Sequence, residues 1–266
     1  MSTSGVREYH LDVDGLRVRY RLDGEGPSVL LLHGWGGAIE SWTPVFDDLR
    51  RAYAVSAFDL PGFGESGLPP SPWGSADYAQ LTLKVMDQLK LDKAHLIGHS
   101  FGGQVSIRLA ATHPERVGKL VLVCSAGIPK RRTLATRLKR SAARLGRWCA
   151  VHGGQLGVRI REAIYRRVQS ADYANAGPLR PTLVKVVNED VSFLLPRLQS
   201  PTLLVWGAHD RDVPLAVARV MERLIPRVQL VVLENAGHFA YLDQFERFRL
   251  IVGRFLRDNT QASAGA

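Results

Sequence analysis

Six short apolar runs recur along the chain: SVLLLH (28–33), YAVSAFDL (53–60), AHLIGH (94–99), KLVLVC (119–124), TLLVWG (202–207) and VQLVVLE (228–234). Each has the length of a strand and the continuous apolar character of a strand buried on both faces. Stretches of helical period separate most of them. Leu81, Val85 and Leu89 share one helix face within 76–90, and GGQVSIRLAATHPE follows the third run until Pro114 closes it. PLAVARVMERLI precedes the sixth run, and an amphipathic helix is expected over 240–257. Strands alternating with helices predict an α/β fold, a mostly parallel central sheet with helices on both faces. Ahead of them, VREYHLDV and LRVRYRL alternate in polarity around Asp14-Gly15, which predicts a hairpin over residues 6–22.

The alternation breaks between about 127 and 198, where the chain reads as helical, strandless and basic, and it resumes at Pro201. That interruption divides the chain into a core of 1–126 with 199–266 and an insertion of 127–198. Twelve basic residues lie between Lys130 and Arg167, with Glu162 as the only acid. The net charge of the whole chain is +10, so its basicity belongs to this one segment. Apolar residues at helical spacing among the arginines (Leu134 and Leu138; Ile160, Ile164 and Val168) suggest basic helices with one face on the core. An electrostatic landing surface for anionic lipid or an acidic substrate is the sharper reading. The segment holds no base-stacking or groove-reading motif, so nucleic acid is not an expected partner.

With 266 residues, a single α/β domain of this size buries a large core. No apolar run is long enough to cross a bilayer, and MSTSGVREYH lacks the apolar centre of a secretory signal. Cys124 and Cys149 make no disulfide framework, which points to a reducing, cytoplasmic setting. The tail DNTQASAGA reads as disordered.

Gly98-His99-Ser100-Phe101-Gly102 stands where a predicted strand runs into a predicted helix. A sharp turn there exposes the serine oxygen, and side chains two residues either side would collide across it, so both positions favour glycine. The helix N-terminus adds positive partial charge near a developing anion. Ser100 is therefore the candidate nucleophile. His238, in the loop NAGHF after the last strand, is the candidate base, since that loop reaches the carboxyl edge of the sheet. Asp210 and Asp212, both in GAHDRDVP after another strand, are candidates for the acid that holds the histidine's tautomer. The backbone N–H groups of Phe101 and of Trp35, in the loop HGWGG, are the candidate oxyanion donors. His33 is expected to brace that loop, and the side chain of His99 to point away from the serine. There is no H-E-x-x-H, and the histidines and cysteines lack ligand spacing, so neither a metal nor a cofactor is implied.

HGWGG, FDLPGFGES, GHSFGG, WGAHDRDVP and NAGHF, in this order and spacing, resemble the α/β-hydrolase fold superfamily over nearly the whole chain except 127–198. The resemblance implies Ser100, Asp210 and His238 as a catalytic triad in the chain order of that architecture, which differs from those of chymotrypsin and subtilisin. It selects Asp210 over Asp212, because the family's acid falls four residues after the tryptophan of W-G-x-x-D-x-x-x-P, here Trp206 to Asp210 with Pro214 at the end. It gives Asp59, in DLPGFGES, a structural role, and makes 127–198 a helical cap over the site.

A serine nucleophile departs from the haloalkane dehalogenases and epoxide hydrolases, which use aspartate, and GHSFGG departs from the GGSWG of proline iminopeptidases. The serine branch remains: carboxylesterases, lipase-like enzymes, lactonases, perhydrolases and the carbon–carbon hydrolases of meta-cleavage products. The last group carries HGSGPG where this chain has HGWGG. The expected activity is hydrolysis of an ester-like bond in a small or medium substrate. Carbon–carbon bond hydrolysis, or a non-hydrolytic lyase, cyclase or ligand-sensing role on the same fold, stand as alternatives.

Overall fold

A computed structural model describes residues 8–129 and 176–258. The basic run 130–167, with its two predicted amphipathic faces, and the tail beyond Asp258 lie outside the described residues. Eight strands form one sheet: β1 (Glu8–Val13), β2 (Leu16–Asp23), β3 (Ser28–Leu32), β4 (Ala54–Phe58), β5 (Ala94–His99), β6 (Val117–Val123), β7 (Thr202–Gly207) and β8 (Val228–Leu233). Their spatial order is β1-β2-β4-β3-β5-β6-β7-β8. β1 and β2 are antiparallel, as are β2 and β4, and every later pairing is parallel. Among the described residues the helices are α1 (Thr43–Leu49), α2 (Ser75–Gln88), α3 (Phe101–Thr112), α4 (Arg180–Asn188), α5 (Leu215–Leu224), α6 (Ala240–Asp243) and α7 (Phe245–Arg257).

The sequence pattern accounts for most of this. β3, β5, β6 and β7 are buried almost end to end, as their continuous apolar runs require. β8 is different. It is the outer strand, with Gln229 exposed and only Leu233 fully buried, although its composition matches the interior strands. The predicted hairpin is present and turns at Asp14 and Gly15, both with positive φ (56° and 79°), the left-handed pair a two-residue type I′ turn needs. The single helix expected over 240–257 is instead two, because Gln244 leaves the helical region (φ −131°, ψ 51°). The break lets Asp243 turn back and accept a hydrogen bond from the Gly237 N–H at 2.7 Å.

Within the insertion, the described residues 176–198 hold α4 and two short 3-10 turns and no strand. They are tied to the sheet's helices. The Ser75 N–H at the start of α2 donates to Glu189 Oε2 (2.9 Å), Gln104 of α3 donates to the same oxygen (3.0 Å), and the Val191 N–H donates to the Gly127 carbonyl (2.8 Å).

The strand order reverses at β3. The chain moves outward from β3 to β4, then returns past β3 to β5. A crevice outside the carboxyl ends of β3 and β5 follows from that reversal, and ligands of open parallel sheets bind at such points.

Candidate active site

The crevice is where Ser100 stands. It follows β5 directly, caps the N-terminus of α3, and has φ 48° and ψ −111°, a conformation that non-glycine residues rarely adopt. Two hydrogen bonds from the next strand hold it there. The Ser100 N–H donates to the Val123 carbonyl, and the Ala126 N–H donates to the Ser100 carbonyl, both at 3.0 Å. The flanking glycines are required, though for two different reasons. A Cβ on Gly98 would lie 2.6 Å from the Gly102 carbonyl oxygen, a collision across the turn as expected. A Cβ on Gly102 would instead strike the Leu32 carbonyl oxygen at the end of β3. The second glycine lets α3 start close against the neighbouring strand.

Asp210 and His238 are brought together from the ends of β7 and β8. His238 Nδ1 lies 2.9 Å from Asp210 Oδ2, and the other carboxylate oxygen accepts the Asp212 and Val213 N–H groups, each at 2.9 Å. Burial by itself raises the pKa of Asp210. The hydrogen bonds from His238 and Val213 outweigh it and hold the group below the ordinary carboxylate value. An ionised Asp210 can only accept, so His238 Nδ1 carries the proton and Nε2 is left free as a base. Asp212 is exposed, and its part here is the backbone N–H alone. Gly207 makes the approach possible: the Ala236 and Gly237 carbonyls of the His238 loop press on it where a Cβ would stand.

The Ser100 hydroxyl makes no hydrogen bond among the described residues, and His238 reaches the elbow through His99. The His99 and His238 rings are 4.7 Å apart between centroids, and His99 Nε2 donates to the His238 carbonyl at 3.0 Å. Catalytic hydrogen bonds in enzymes are often long at rest and tighten with substrate. The His99 ring lies in a buried cluster with Trp42 and Tyr241. Burial first, and the facing His238 ring second, push its pKa down to about 3, so it stays neutral. Its hold on the His238 backbone was not evident from the sequence. Its position next to Ser100 was the one available signal.

The loop after β3 closes the other side. The Trp35 and Phe101 rings meet edge to face with centroids 5.7 Å apart. The Phe101 N–H opens α3 and has no intrahelical acceptor, and the Trp35 N–H makes no hydrogen bond among the described residues. His33 braces this loop. Its Nε2 accepts the Leu60 N–H (2.9 Å), so Nδ1 carries the proton and donates to the Gly34 carbonyl (2.8 Å). Asp59 is wholly buried and accepts from the Ile39 and Glu65 N–H groups (2.7 and 2.9 Å) and from Arg19 (3.3 Å). It ties the loops after β3 and β4 together, the structural part expected of it.

Cys124, Asp210 and His238 offer ligand atoms within 4.8 Å of one another. The group suits a metal poorly. Asp210 is already engaged on both oxygens, and burial pushes the Cys124 thiol pKa well above its ordinary value, whereas a ligand must be the thiolate.

Comparison with known proteins agrees with this architecture. A pimeloyl-[acyl-carrier protein] methyl ester esterase of Aliivibrio salmonicida is 28% identical over 90% of this chain and 95% of its own. A 2-hydroxymuconate semialdehyde hydrolase of Pseudomonas sp. strain CF600 is 27% identical over 94% of this chain and 93% of its own. The crystal structure of a membrane phospholipase A, a bacterial virulence factor, superposes with a TM-score of 0.76 at 28% identity, over 95% of this chain and 86% of that one. A profile of the Alpha/beta hydrolase family matches residues 29–249, from the first residues of β3 into α7. The chain belongs to the alpha/beta hydrolase family.

Proposed function

We propose that this protein is a serine hydrolase that cleaves an ester-like bond, a carboxylic ester, thioester or lactone, through an acyl-enzyme. The observation that carries the reading is the Asp210–His238 hydrogen bond at the same sheet edge as the strained Ser100 turn. In this scheme His238 Nε2 takes the Ser100 proton as Oγ attacks the carbonyl carbon. The tetrahedral oxyanion accepts from the Phe101 and Trp35 N–H groups, and the α3 N-terminus favours its charge. His238 then protonates the leaving alcohol or thiol, and water repeats the path to free the acid and Ser100. Asp210 stabilises the imidazolium formed in each half.

Residues 127–198 serve as the cap in this reading, and 1–126 with 199–266 as the catalytic core. The tie between Val191 and Gly127 supports a segment that leaves and rejoins the sheet near the site. The similarity to a methyl ester esterase supports ester cleavage, and that to the semialdehyde hydrolase supports a second reading, hydrolysis of a carbon–carbon bond beside a carbonyl. A small-molecule substrate fits either, and nucleic acid neither. The twelve cations of 130–167 would favour weak contact with anionic membrane surfaces. Among the described residues no helix is long and apolar enough to cross a membrane. Buried, unpaired Cys124 is compatible with a reducing cytoplasm.

The test is a panel of nitrophenyl esters of graded acyl length, lactones and a meta-cleavage dienone, run with wild type and Ser100→Ala. Ester or lactone turnover that disappears in Ser100→Ala, with an unchanged unfolding transition, is the expected result. Turnover of the dienone alone moves the assignment to carbon–carbon cleavage. Full activity in Ser100→Ala overturns both.

A further inference from the structure

Ser100, His33 and Asp210 all follow the carboxyl ends of parallel strands. The opposite edge of the sheet carries a second feature. A cavity of about 550 Å³ opens where β3, β5, β6, β7 and β8 begin. Pro27, Pro114 and Pro201 give it apolar walls, and Lys93, His95 and Arg227 give it donors. Among the described residues no acidic side chain lines it.

Several cations elsewhere among the described residues are neutralised by acids. Arg19 is paired with Glu8, Glu40 and Asp59, Arg50 with Asp23, and Arg116 with Asp87. Lys93 and Arg227 have no ion pair or side-chain hydrogen bond among the described residues, and Arg227 Nη2 is buried without a partner. Lys119, also on the wall, adds charge but is already committed: its ammonium donates to the Phe255, Leu256 and Asp258 carbonyls. His95 is oriented as a donor. Its Nδ1 accepts the Lys119 N–H at 2.9 Å, so the neutral ring carries its proton on Nε2, which has no acceptor among the described residues. Burial, then the charges of Lys119 and Lys93, push its pKa down to about 4, which keeps the ring neutral and marks the cavity as electropositive.

We propose that this cavity is a binding site for a small organic phosphate, separate from the Ser100 site and independent of the chemistry performed there. The phosphoryl oxygens accept from Lys93, Arg227 and His95 Nε2–H, and the organic part rests on the proline walls. Two free cations backed by the charge of Lys119, with no acid among the described lining residues, favour a doubly charged group over a carboxylate. Donors arriving from separate strand ends suit a tetrahedral group, which presents oxygens in several directions.

Calorimetric titration with phenyl phosphate tests this, with benzoate and phenol as the singly charged and neutral analogues. Wild type is expected to saturate with one phenyl phosphate, to bind benzoate about tenfold more weakly or less well still, and to ignore phenol. Lys93→Gln and Arg227→Gln are each expected to weaken phenyl phosphate about tenfold while ester turnover stays at the wild-type rate. Arg227→Lys, which keeps the charge, is expected to recover part of the loss. The His95 Nε2–H proton resonance is expected to shift on binding. No saturation at millimolar phenyl phosphate, equal affinity in wild type and Lys93→Gln, or an unmoved His95 resonance would overturn the proposal. Lys93 is exposed, so Lys93→Gln still reads the site if Arg227→Gln fails to fold.

Discussion

Asp210→Asn separates the two acidic candidates of the β7 loop. The asparagine can keep one contact set, since its carbonyl oxygen replaces the carboxylate oxygen that accepts the Asp212 and Val213 N–H groups at 2.9 Å. Its amide nitrogen then faces His238 Nδ1, where a carboxylate oxygen stood at 2.9 Å. Two donors cannot share that contact. Nδ1 must become the acceptor, and the imidazole proton moves to Nε2, the atom that takes the Ser100 proton in the proposed scheme. The imidazolium formed in the transition state also loses its counter-charge. A wrong tautomer and a missing charge of this kind lower kcat about ten-thousandfold, or about 5 kcal/mol at 1.36 kcal/mol per decade. KM should move little, because Asp210 is buried behind the histidine and touches no substrate. Asp212→Asn changes only an exposed side chain and should leave kcat/KM within about twofold. Steady-state kinetics on the best nitrophenyl ester, with thermal unfolding as a control for folding, measure both. A drop of less than about tenfold in Asp210→Asn, or a larger loss in Asp212→Asn, would refute the pairing argument.

Three further outcomes follow from the packing. Gly102→Ala puts a methyl group against the Leu32 carbonyl oxygen and 2.6 Å from that of His33; both are backbone, so urea unfolding should show a loss of about 3 kcal/mol, and an unchanged midpoint counts against the close approach of α3 to β3. His33, His95 and His99 are all held below their ordinary pKa in the native state, first by burial. The unfolded chain therefore binds up to about three more protons as pH falls through the histidine range, so their stability is complete above about pH 6.5 and lost progressively down to about pH 4 and pH 3 for His95 and His99; a urea midpoint that is flat between about pH 7 and 5 would contradict the three neutral rings. Lys119→Met removes the ammonium that gathers three carbonyls at the end of α7, at 2.9, 2.8 and 2.6 Å; the expected cost is about 2 kcal/mol, with faster amide exchange in the last turn of α7 as its local sign.

The parts of this fold that were legible in the sequence are those set by near neighbours in the chain. β3, β5, β6 and β7 announced themselves because burial on both faces leaves few polar positions. The same criterion said nothing about position within the sheet, so β8 read like the others until its neighbours were known. Gln244 carried no breaking signal. Neither Gly nor Pro, it departs from the helix because Asp243 is needed by the Gly237 N–H six residues earlier. The charged cavity was illegible for a related reason. Lys93, Pro114, Pro201 and Arg227 meet only because four strands start side by side, and no spacing rule connects them.

The candidate site shows the same division. Ser100 was visible because its demands fall on Gly98 and Gly102, two residues away. The feature that completes its turn was not. Cys124, at the end of β6, also has positive φ (45°) without being glycine. That bend carries the chain back so that the Ala126 N–H reaches the Ser100 carbonyl, while the Val123 carbonyl takes the Ser100 N–H. A strained residue persists only where its surroundings over-determine it. Here the restraint on Ser100 comes from Val123 and Ala126, on either side of a second strained residue, Cys124, which is buried and bonded through Sγ to the Gly237 carbonyl at 3.7 Å. The two bends support each other, and the loop holding His238 rests on one of them. The placement of Ser100 beside the His238 loop is therefore tied to the paired bends at the ends of β5 and β6.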